Sequence, residues 1–460
     1  VLHQSLTTMV NIDSDDTSKS GLIERILQED GKEILDDELA SPIFRDQSNK
    51  IGMLPAFTRQ EIKFGDILGT GAFGEVREVS SIDLIDASGC TSLTKSNCDC
   101  SHFNASAEID QRDLQSVTTN EENEHLESLN ASTTSRELMA AMCIRNGESR
   151  YAVKSLMIED ACEMQQARAR IDLAIEVNYL KALSHSHIVK IRGVFLSDDP
   201  FHAKYFFLMD RLYGTLHDKI IEWKESYRIE KLDFIQKLFA MMKSQKINNW
   251  KREFMKERLF IAQDIASAFG YMHEKHVIHR DIKKQNIGFD VRGNVKVFDF
   301  GLAKSLREDR LSHCNYYNLT AKVGSTPYMA PEVALGKPYN EKCDVYSFGI
   351  LLYEILSLKP PYHLSIKNAY LTKVVQGGKR PKIKEKWPTM AKEIMKSSWV
   401  ASPRDRPSMI TICKMIKVDL KELDSEESIQ TRQDLIANLS RHSSSRFSTF
   451  DQSVLEESKH

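Results

Sequence analysis

The sequence lacks the features that would place it in a membrane or outside the cell. It has no apolar run near the roughly 20 residues that a helix needs to span a bilayer. Its formal net charge is -2, which gives no global electrostatic case for binding nucleic acid or a membrane surface. Its eight cysteines are scattered, which favours reduced thiols over a disulfide framework. Because the start is also polar, without a signal-peptide pattern, we expect a cytoplasmic protein, with the nucleus as a second possibility.

The chain is long enough for a two-lobed core, and several polar stretches interrupt it. It has 460 residues, of which 41% are hydrophobic. Residues 1–60 are polar and acidic, although the apolar spacing from 21 to 39 predicts one helix with a docking or regulatory role. Residues 81–147 are predicted to be a mostly disordered insertion with a small helix near 135–142. Residues 222–254 are predicted to be a second insertion, a helix that packs on the larger lobe or forms a partner-binding surface.

The most informative stretch is HRDIKKQN at 279–286, which DFG follows at 299–301. Transfer of a phosphoryl group to a hydroxyl needs a carboxylate that orients the hydroxyl and accepts its proton, which fits Asp281. It needs a cation near the transferring phosphate, which fits Lys283. Mg²⁺ prefers oxygen ligands, so the carboxylate of Asp299 and the side-chain amide of Asn286 are the predicted metal ligands. Either motif alone could be a polar loop without function.

The glycine-rich turn GTGAFG at 69–74 lies between two predicted strands. A dinucleotide-binding fold would place a helix after the glycines. Here EVREV at 75–79 alternates and carries β-branched residues, which predicts a strand. Glycine lets backbone N–H groups approach phosphate oxygens. The turn therefore predicts a loop that covers phosphates, with Phe73 at its tip, and argues against a nucleotide-dependent oxidoreductase.

Lys154 ends the apolar stretch RYAVK at 150–154. A lysine in an apolar strand is costly unless a negative charge pairs with it. The candidate partner is Glu176, on a helix predicted over about 160–183. The alternative for Glu176 is a solvated charge on that helix.

Together these motifs resemble those of eukaryotic protein kinases. Glu176 lies nine residues before His185, as the glutamate of helix C does in that family. APE at 330–332 resembles the end of the family's activation segment, and Arg406 fits the arginine that pairs with its glutamate. Asp344, in CDVYSFG, resembles the aspartate that holds the catalytic loop.

Other residues resemble particular groups within that family. Lys283 and the stretch GSTPY at 324–328 resemble serine/threonine kinases, and we expect Ser325 to bond Asp281 and Lys283. YSFGILLYEIL and RDRPS resemble the tyrosine-kinase-like group, whose members mostly phosphorylate Ser or Thr.

The resemblance implies an α+β class and the bilobal protein-kinase fold, with a small β-rich N-lobe that carries helix C and a larger, mainly helical C-lobe. It implies ATP and Mg²⁺ as cofactors and transfer of the γ-phosphate of ATP to Ser/Thr hydroxyls of protein substrates, in signalling. The predicted divisions are a largely disordered region at 1–60, an N-lobe at 61–212, a C-lobe at 213–420 and a disordered, Ser-rich tail at 421–460.

The resemblance also implies roles for individual residues. Catalytic roles fall on Asp281, Lys283, Lys154 and Glu176, and metal binding falls on Asn286 and Asp299. Gly288 departs from the family, which usually places Leu there beneath adenine. The predicted nucleotide-binding residues are Leu68, Gly69, Gly71, Gly74, Val76, Ala152, Lys154, Met209, Asp210 and Leu212.

The alternative function is a pseudokinase, a scaffold that binds nucleotide or partners without turnover. Such proteins usually lose a residue equivalent to Lys154, Asp281 or Asp299, and none of these is missing. Only Gly288 and the large insertions favour that alternative.

The arginine before Asp281 predicts regulation by phosphorylation. A cation at the position of Arg280 is often neutralised by a phosphate on the activation segment, here 299–332. Thr320 is the predicted site, modified by an upstream kinase or by autophosphorylation. The further candidates are Ser312, Tyr316 and Tyr317.

Overall fold

The computed structural model describes residue 27 and residues 31–45, 54–71, 74–85, 135–157, 162–238, 244–312, 315–362 and 367–424. The chain divides into two compact units. The first comprises 1–29, 51–171 and 190–211, and the second comprises 30–50, 172–189 and 212–460.

The described strands form one large sheet and three two-stranded pairs. The large sheet has six strands in the order β1-β7-β8-β6-β3-β2, all antiparallel neighbours except β1, which lies parallel to β7. The pairs are β4 with β5, β9 with β12 and β10 with β11. The strands are β1 (Ala56–Phe57), β2 (Ile62–Thr70), β3 (Gly74–Ile82), β4 (Ile144–Arg145), β5 (Glu148–Ser149), β6 (Tyr151–Leu156), β7 (Ile191–Phe195), β8 (Phe206–Asp210), β9 (Val277–Ile278), β10 (Ile287–Phe289), β11 (Val295–Val297) and β12 (Lys304–Ser305).

Most of the described helices belong to the second unit. In chain order they are α1 (Lys32–Leu39), α2 (Pro42–Arg45), α3 (Ser135–Ala141), α4 (Glu163–Ala182), α5 (Leu216–Leu238), α6 (Ser244–Glu274), α7 (Pro331–Ala334), α8 (Lys342–Ser357), α9 (Lys367–Tyr370), α10 (Thr389–Ser398) and α11 (Met409–Asp424). Short 3-10 turns cover Lys284–Asn286, Glu308–Arg310, Thr326–Tyr328 and Pro403–Asp405, and a π-helical turn covers Leu371–Gln376.

The core of the first unit lies against the six-stranded sheet. Val153 on β6 and the successive residues Phe206, Phe207 and Leu208 on β8 are fully buried, so both faces of β8 are covered. Phe57 on β1 and Met139 on α3 join the same cluster. The predicted α+β class, with one unit rich in strands and the other mainly helical, is thereby confirmed.

The second unit is organised around α8, whose residues are almost all buried. Phe348, Leu351 and Ile355 have no exposed surface. The neighbouring helix α10 begins with its backbone amides held by a buried carboxylate on α11. Asp419 accepts hydrogen bonds from the amides of Met390 at 2.9 Å and Ala391 at 2.6 Å. The carboxylate satisfies donors that a helix N-terminus otherwise leaves unpaired.

The region 1–60 is more ordered than the sequence indicates. It contributes α1, α2 and β1, and β1 is a strand of the large sheet. The predicted helix from 21 to 39 is described as α1 over its last part, whereas residues 21–26 and 28–30 lie outside the described residues.

Both predicted insertions differ in part from expectation. Strand β3 continues to Ile82, the small helix predicted near 135–142 is present as α3, and residues 144–149 form β4 and β5 rather than disordered chain, while 86–134 lie outside the described residues. The second insertion is not a separate helix, because 222–238 extend α5 and 244–254 begin α6. Among the described residues, no helix combines the length and apolar character needed to cross a membrane.

Candidate active site

Asp344, on α8, holds the backbone of the loop that carries Asp281. Its Oδ2 atom accepts a hydrogen bond from the amide of His279 at 2.8 Å, and its Oδ1 atom accepts one from the amide of Arg280 at 2.9 Å. His273 Nε2 lies 3.0 Å from Oδ2. Burial acts to raise the pKa of the Asp344 carboxyl, but the hydrogen bond and charge of His273 and the amide of His279 bring that pKa below its usual value. The ionised carboxylate therefore fixes the loop.

The fixed loop has an unusual backbone at Arg280, which has a left-handed φ of 67°. Side chains rarely adopt this region unless surrounding contacts impose it. The amide of Arg280 is held by Asp344, and its guanidinium Nε donates to the carbonyl of Leu302 at 2.6 Å. These contacts tie the loop to the chain that follows DFG.

Asp281 is a nearly buried carboxylate surrounded by donors. Lys283 Nζ lies 2.6 Å from its Oδ2 atom, and Asn286 Nδ2 donates to the same oxygen at 3.1 Å. The backbone amide of Ser325 donates to Oδ1 at 2.9 Å. Three donors from three positions set the direction of the carboxylate, which is the arrangement that orientation of a substrate hydroxyl requires.

The contact from Ser325 depends on the glycine before it. Gly324 has a φ of +90°, and a Cβ atom there would lie 2.2 Å from the carbonyl oxygen of Arg280. Only a residue without a side chain lets the two backbones approach so closely. The structure thus brings Ser325 to Asp281 through its backbone amide, whereas the sequence pointed to the residue without separating backbone from hydroxyl.

Asn286 and Asp299 lie at the same end of the β10–β11 pair. The amide of Phe298 donates to the carbonyl of Asn286 at 3.1 Å, and Asp299 is the next residue, with a left-handed φ of 66°. Because Asn286 uses its Nδ2 for Asp281, its Oδ1 atom remains for a cation. An amide oxygen and a carboxylate form a donor set that Mg²⁺ accepts.

No group of three or more His, Cys, Asp or Glu side chains that could hold a metal occurs among the described residues. A magnesium ion at Asn286 and Asp299 would therefore take its other ligands from phosphate and water, as Mg²⁺ commonly does. The residues present fit the ion.

Two buried ionic contacts hold the segment after DFG in place. Arg406 forms a two-pronged pair with Glu332, at 2.6 and 2.9 Å, and the arginine side chain has no exposed surface. Lys284 Nζ lies 2.6 Å from Glu354 on α8, which also accepts a hydrogen bond from the hydroxyl of Tyr328. Sequence reasoning predicted the first contact but missed the second, because Lys284 and Glu354 lie 70 residues apart and neither had a role assigned within its motif.

The chain matches known proteins across most of these elements. The sequence family described as protein tyrosine and serine/threonine kinase matches residues 132–416. This chain belongs to that kinase family. The matched range includes the whole of the Asp281 loop, the segment after DFG and α8.

Individual relatives match a shorter part of the chain. A probable LIM domain-containing serine/threonine-protein kinase from Dictyostelium discoideum is 38% identical over 160 residues, which is 35% of this chain and 16% of that protein. Serine/threonine-protein kinase STY17 from Arabidopsis thaliana is 34% identical over 169 residues, or 37% of this chain and 28% of that protein. Serine/threonine-protein kinase CTR1 from Arabidopsis thaliana is 33% identical over 168 residues, or 36% and 20%. The aligned region thus spans less than a third of each of these relatives.

The kinase family generally uses ATP and Mg²⁺, and four of the predicted nucleotide-binding residues share one face of the sheet of the first unit. Val76 on β3 pairs with Lys154 on β6, and Ala152 on β6 pairs with Met209 on β8. Residues that pair directly, or lie two apart, project to the same side of a sheet. The sheet therefore brings Val76, Ala152, Lys154 and Met209 together.

The glycine-rich turn connects β2 and β3 as predicted. Gly69 pairs with Val76, and the amide of Gly71 donates to the carbonyl of Gly74 at 2.7 Å across the turn. Leu68, on the strand before it, is 38% exposed. Phe73 lies outside the described residues.

Asp210 is engaged within the sheet through its side chain and its amide. Its carboxylate binds Arg192 through two hydrogen bonds of 2.6 and 3.0 Å, and its amide donates to the carbonyl of Lys190 at 3.1 Å. Nucleotide binding by Asp210 stays a prediction.

In the second unit, the side chain of Leu212 lies against the backbone of Gly288. A Cβ atom at Gly288 would lie 2.5 Å from Leu212 Cδ1. Leu212 thus occupies the space that the family usually fills from the position of Gly288. Glu176, also in this unit, is a buried residue on α4 with 3% of its surface exposed.

Proposed function

We propose that this chain is a protein serine/threonine kinase that transfers the γ-phosphate of ATP to Ser and Thr hydroxyls of protein substrates. The observation that carries the proposal is the Asp281 carboxylate, which is held by Lys283, Asn286 and the amide of Ser325. A carboxylate fixed in this way orients an attacking hydroxyl and accepts its proton late in the reaction.

The other residues take roles that the charge of the reaction requires. Lys283, already within hydrogen-bond distance of Asp281, would lie beside the transferring phosphate and balance its charge. Asn286 and Asp299 would hold Mg²⁺, which supplies charge neutralisation on the nucleotide phosphates when bound. Lys154, supported by Glu176, would bind the α- and β-phosphates beneath the turn at 69–74.

Turnover by the purified full chain, with MgATP and a basic protein substrate, tests this proposal. We expect phosphoserine and phosphothreonine in wild-type reactions. Asp281→Asn should lower kcat by several orders of magnitude, because positioning and electrostatics supply most of the catalysis. Asp290→Asn, an exchange of the same kind in the turn between β10 and β11, is the matched control. Equal turnover of wild type and Asp281→Asn would reject the proposed role of Asp281, and nucleotide binding without turnover would favour the pseudokinase.

We further propose that phosphorylation of Thr320, by an upstream kinase or by autophosphorylation, activates the enzyme. Thr320 is exposed, and its carbonyl accepts a hydrogen bond from the hydroxyl of Tyr339 at 2.7 Å. Arg280 Nη1 lies 3.3 Å from the same hydroxyl. Tyr339 thereby connects the predicted phosphorylation site to the arginine beside Asp281.

Replacement of Thr320 separates modification from structure. Thr320→Ala should lose most of the activity, and Thr320→Ser should retain it because a serine can carry the same phosphate. Peptide mapping by mass spectrometry after incubation with MgATP measures the phosphate directly. Full activity of Thr320→Ala, together with wild-type enzyme that is active without phosphate at Thr320, would contradict the proposal.

A further inference from the structure

Glu38, on α1, is a buried acid in a region that lies outside the range matched by the kinase family. Only 2% of its surface is exposed. Its Oε1 atom accepts hydrogen bonds from both the amide and the hydroxyl of Ser305, each at 3.0 Å, and from the hydroxyl of Tyr179. Its Oε2 atom binds Lys304 Nζ. Both carboxylate oxygens are therefore fully engaged by two other parts of the second unit.

The surroundings of the Glu38 carboxylate favour its ionised form. Burial acts to raise the pKa of Glu38, but the charge of Lys304 and the hydrogen bonds from Lys304, Tyr179 and Ser305 bring that pKa below its usual value. Removing one partner of a buried charge leaves the other uncompensated, which is strongly unfavourable. The contact thus fixes α1 at one place on the second unit.

Neighbouring residues strengthen the same contact. Asp37 lies 3.0 Å from Arg307, which follows the Lys304–Ser305 strand by two residues. On the other side, the ring of Phe44 in α2 packs edge-on against Tyr179, with 5.3 Å between centroids. The segment 37–44 therefore contacts α4 and the chain at 304–307 at the same time.

Both contacted elements lead to proposed catalytic residues. Strand β12, at Lys304–Ser305, pairs with β9, which directly precedes His279 and the Asp281 loop. β12 also begins three residues after the glycine of DFG. Tyr179 lies three residues after Glu176 on α4, a spacing that places two side chains on neighbouring positions of a helix face.

We propose that Glu38 is a positioning residue of the kinase. It fixes the segment 37–44, the N-terminal segment, to α4 and β12, and so holds the chain after DFG, at 302–307, in its productive arrangement. This inference rests on the proposed kinase function. The N-terminal segment then supports activity rather than inhibiting it, because its contacts reinforce the β9–β12 pairing beside the catalytic loop.

The full chain carrying Glu38→Gln tests the inference. Gln keeps the size of the side chain but turns an N–H₂ group towards a lysine or an amide donor, so the contact is lost. We expect kcat on a protein substrate to fall roughly tenfold, with a smaller change in KM for that substrate. Glu33→Gln is the matched control, since it is the same exchange at an exposed position of the same helix.

Three further tests keep the inference testable whatever the variant does. Hydrogen exchange at the amides of 304–306 should become faster in Glu38→Gln and remain as in wild type in Glu33→Gln. Tyr179→Phe removes one hydrogen bond and no volume of the ring, and it serves if Glu38→Gln does not fold. Lys304→Met should add little to the loss of kcat caused by Glu38→Gln, because both substitutions remove the same contact.

The outcomes separate the two proposals. Suppose that wild type is active and that Glu38→Gln has the same kcat and the same exchange at 304–306 as wild type. This result overturns the positioning role and leaves the kinase function intact. Higher kcat in Glu38→Gln overturns it as well, because the segment would then be inhibitory. If wild type proves inactive, the kinase function fails, and unchanged exchange at 304–306 would still reject the contact.

Discussion

Asp344 and Glu38 use the same physical device in two regions of the second unit. Each is a buried carboxylate that binds at least one backbone amide and one basic side chain: Asp344 holds the amides of His279 and Arg280 and the ring of His273, and Glu38 holds the amide of Ser305 and the side chain of Lys304. Asp344 lies within the matched range of 132–416, whereas Glu38 lies outside it. The comparison teaches that a catalytic domain can be completed by a segment that its family motifs do not reveal.

Of the two anchoring carboxylates, Asp344 should show the larger effect when it is replaced by its amide in Asp344→Asn, although the loss should stay below that of Asp281→Asn. The substitution would turn an N–H₂ group towards the amide of His279 or Arg280, so that two donors face each other at a fully buried site. We expect kcat to fall at least about 100-fold, clearly more than for Glu38→Gln, because Asp344 acts directly on the loop of Asp281. Steady-state kinetics checks this, with Glu341→Gln on the same helix end as control. A smaller loss than that of Glu38→Gln would reverse the ranking.

Removal of the Arg406–Glu332 pair should act on stability more than on chemistry. Arg406→Met leaves Glu332 buried without its partner, which costs about 3–5 kcal/mol in the free energy of unfolding. The double variant with Glu332→Gln should recover part of this loss, since no buried charge is then left unpaired. Denaturant unfolding measures both. If the double variant were as unstable as the sum of the single variants, the pair would not be coupled.

Acid should remove the stabilisation that each of the two carboxylates contributes, and the loss should begin at a different pH for each. Both pKa values are lowered on folding, from unfolded values of 4.5 for Glu38 and 3.8 for Asp344, so each contributes stability above its unfolded pKa and loses it as the pH falls through its folded pKa. The difference in Tm between wild type and Glu38→Gln should be constant near neutral pH and shrink below pH 4.5. The difference for Asp344→Asn should begin to shrink only below pH 3.8. Thermal unfolding at several pH values checks this, and a difference for Glu38→Gln that grew in acid would contradict the assigned charge.

The smallest effect is expected from shortening the first insertion. Glu61 accepts a hydrogen bond from the amide of Ile85 at 3.1 Å and pairs with Arg136, so one carboxylate holds both described ends of the insertion. Replacing 86–134 with a short Gly-Ser linker should leave kcat within about twofold and Tm within a few degrees, because loop closure depends only weakly on length. Kinetics and thermal unfolding check this, with Glu61→Gln as the variant that loosens both ends. A large loss of kcat in the shortened chain would show that the insertion acts in catalysis.

The function of the Asp281 loop was predictable because it depends on residue types and spacing within a short stretch of sequence. A carboxylate, a lysine and an amide within six residues, followed by DFG, already specify what the loop must bind. The structure adds how they are held: His273 on the carboxylate of Asp344 and the amide of Ser325 on Asp281 are contacts between distant segments, which no local pattern records.

The remaining differences have the same cause. Helical spacing indicated a helix before residue 39, but the burial of Glu38 depends on Tyr179 and Lys304, far away in the chain. Gly288 departs from the leucine that the family usually has beneath adenine, and the structure places the side chain of Leu212 against Gly288. The polar composition of 81–147 predicted mostly disordered chain with a small helix near 135–142, but not that Met139 and Cys143 would be buried in the core of the first unit.

The short strand β1 has a practical consequence for work with shortened versions of the protein. Its residues cover the edge of β7: the amides of Val194 and Leu196 donate to the carbonyls of Pro55 at 3.0 Å and Phe57 at 2.8 Å. Gly193 leaves room there, since a Cβ atom would lie 2.8 Å from the ring of Phe57. A chain that started at residue 61 would uncover these amides and an apolar hollow, and such a bare sheet edge invites self-association and precipitation.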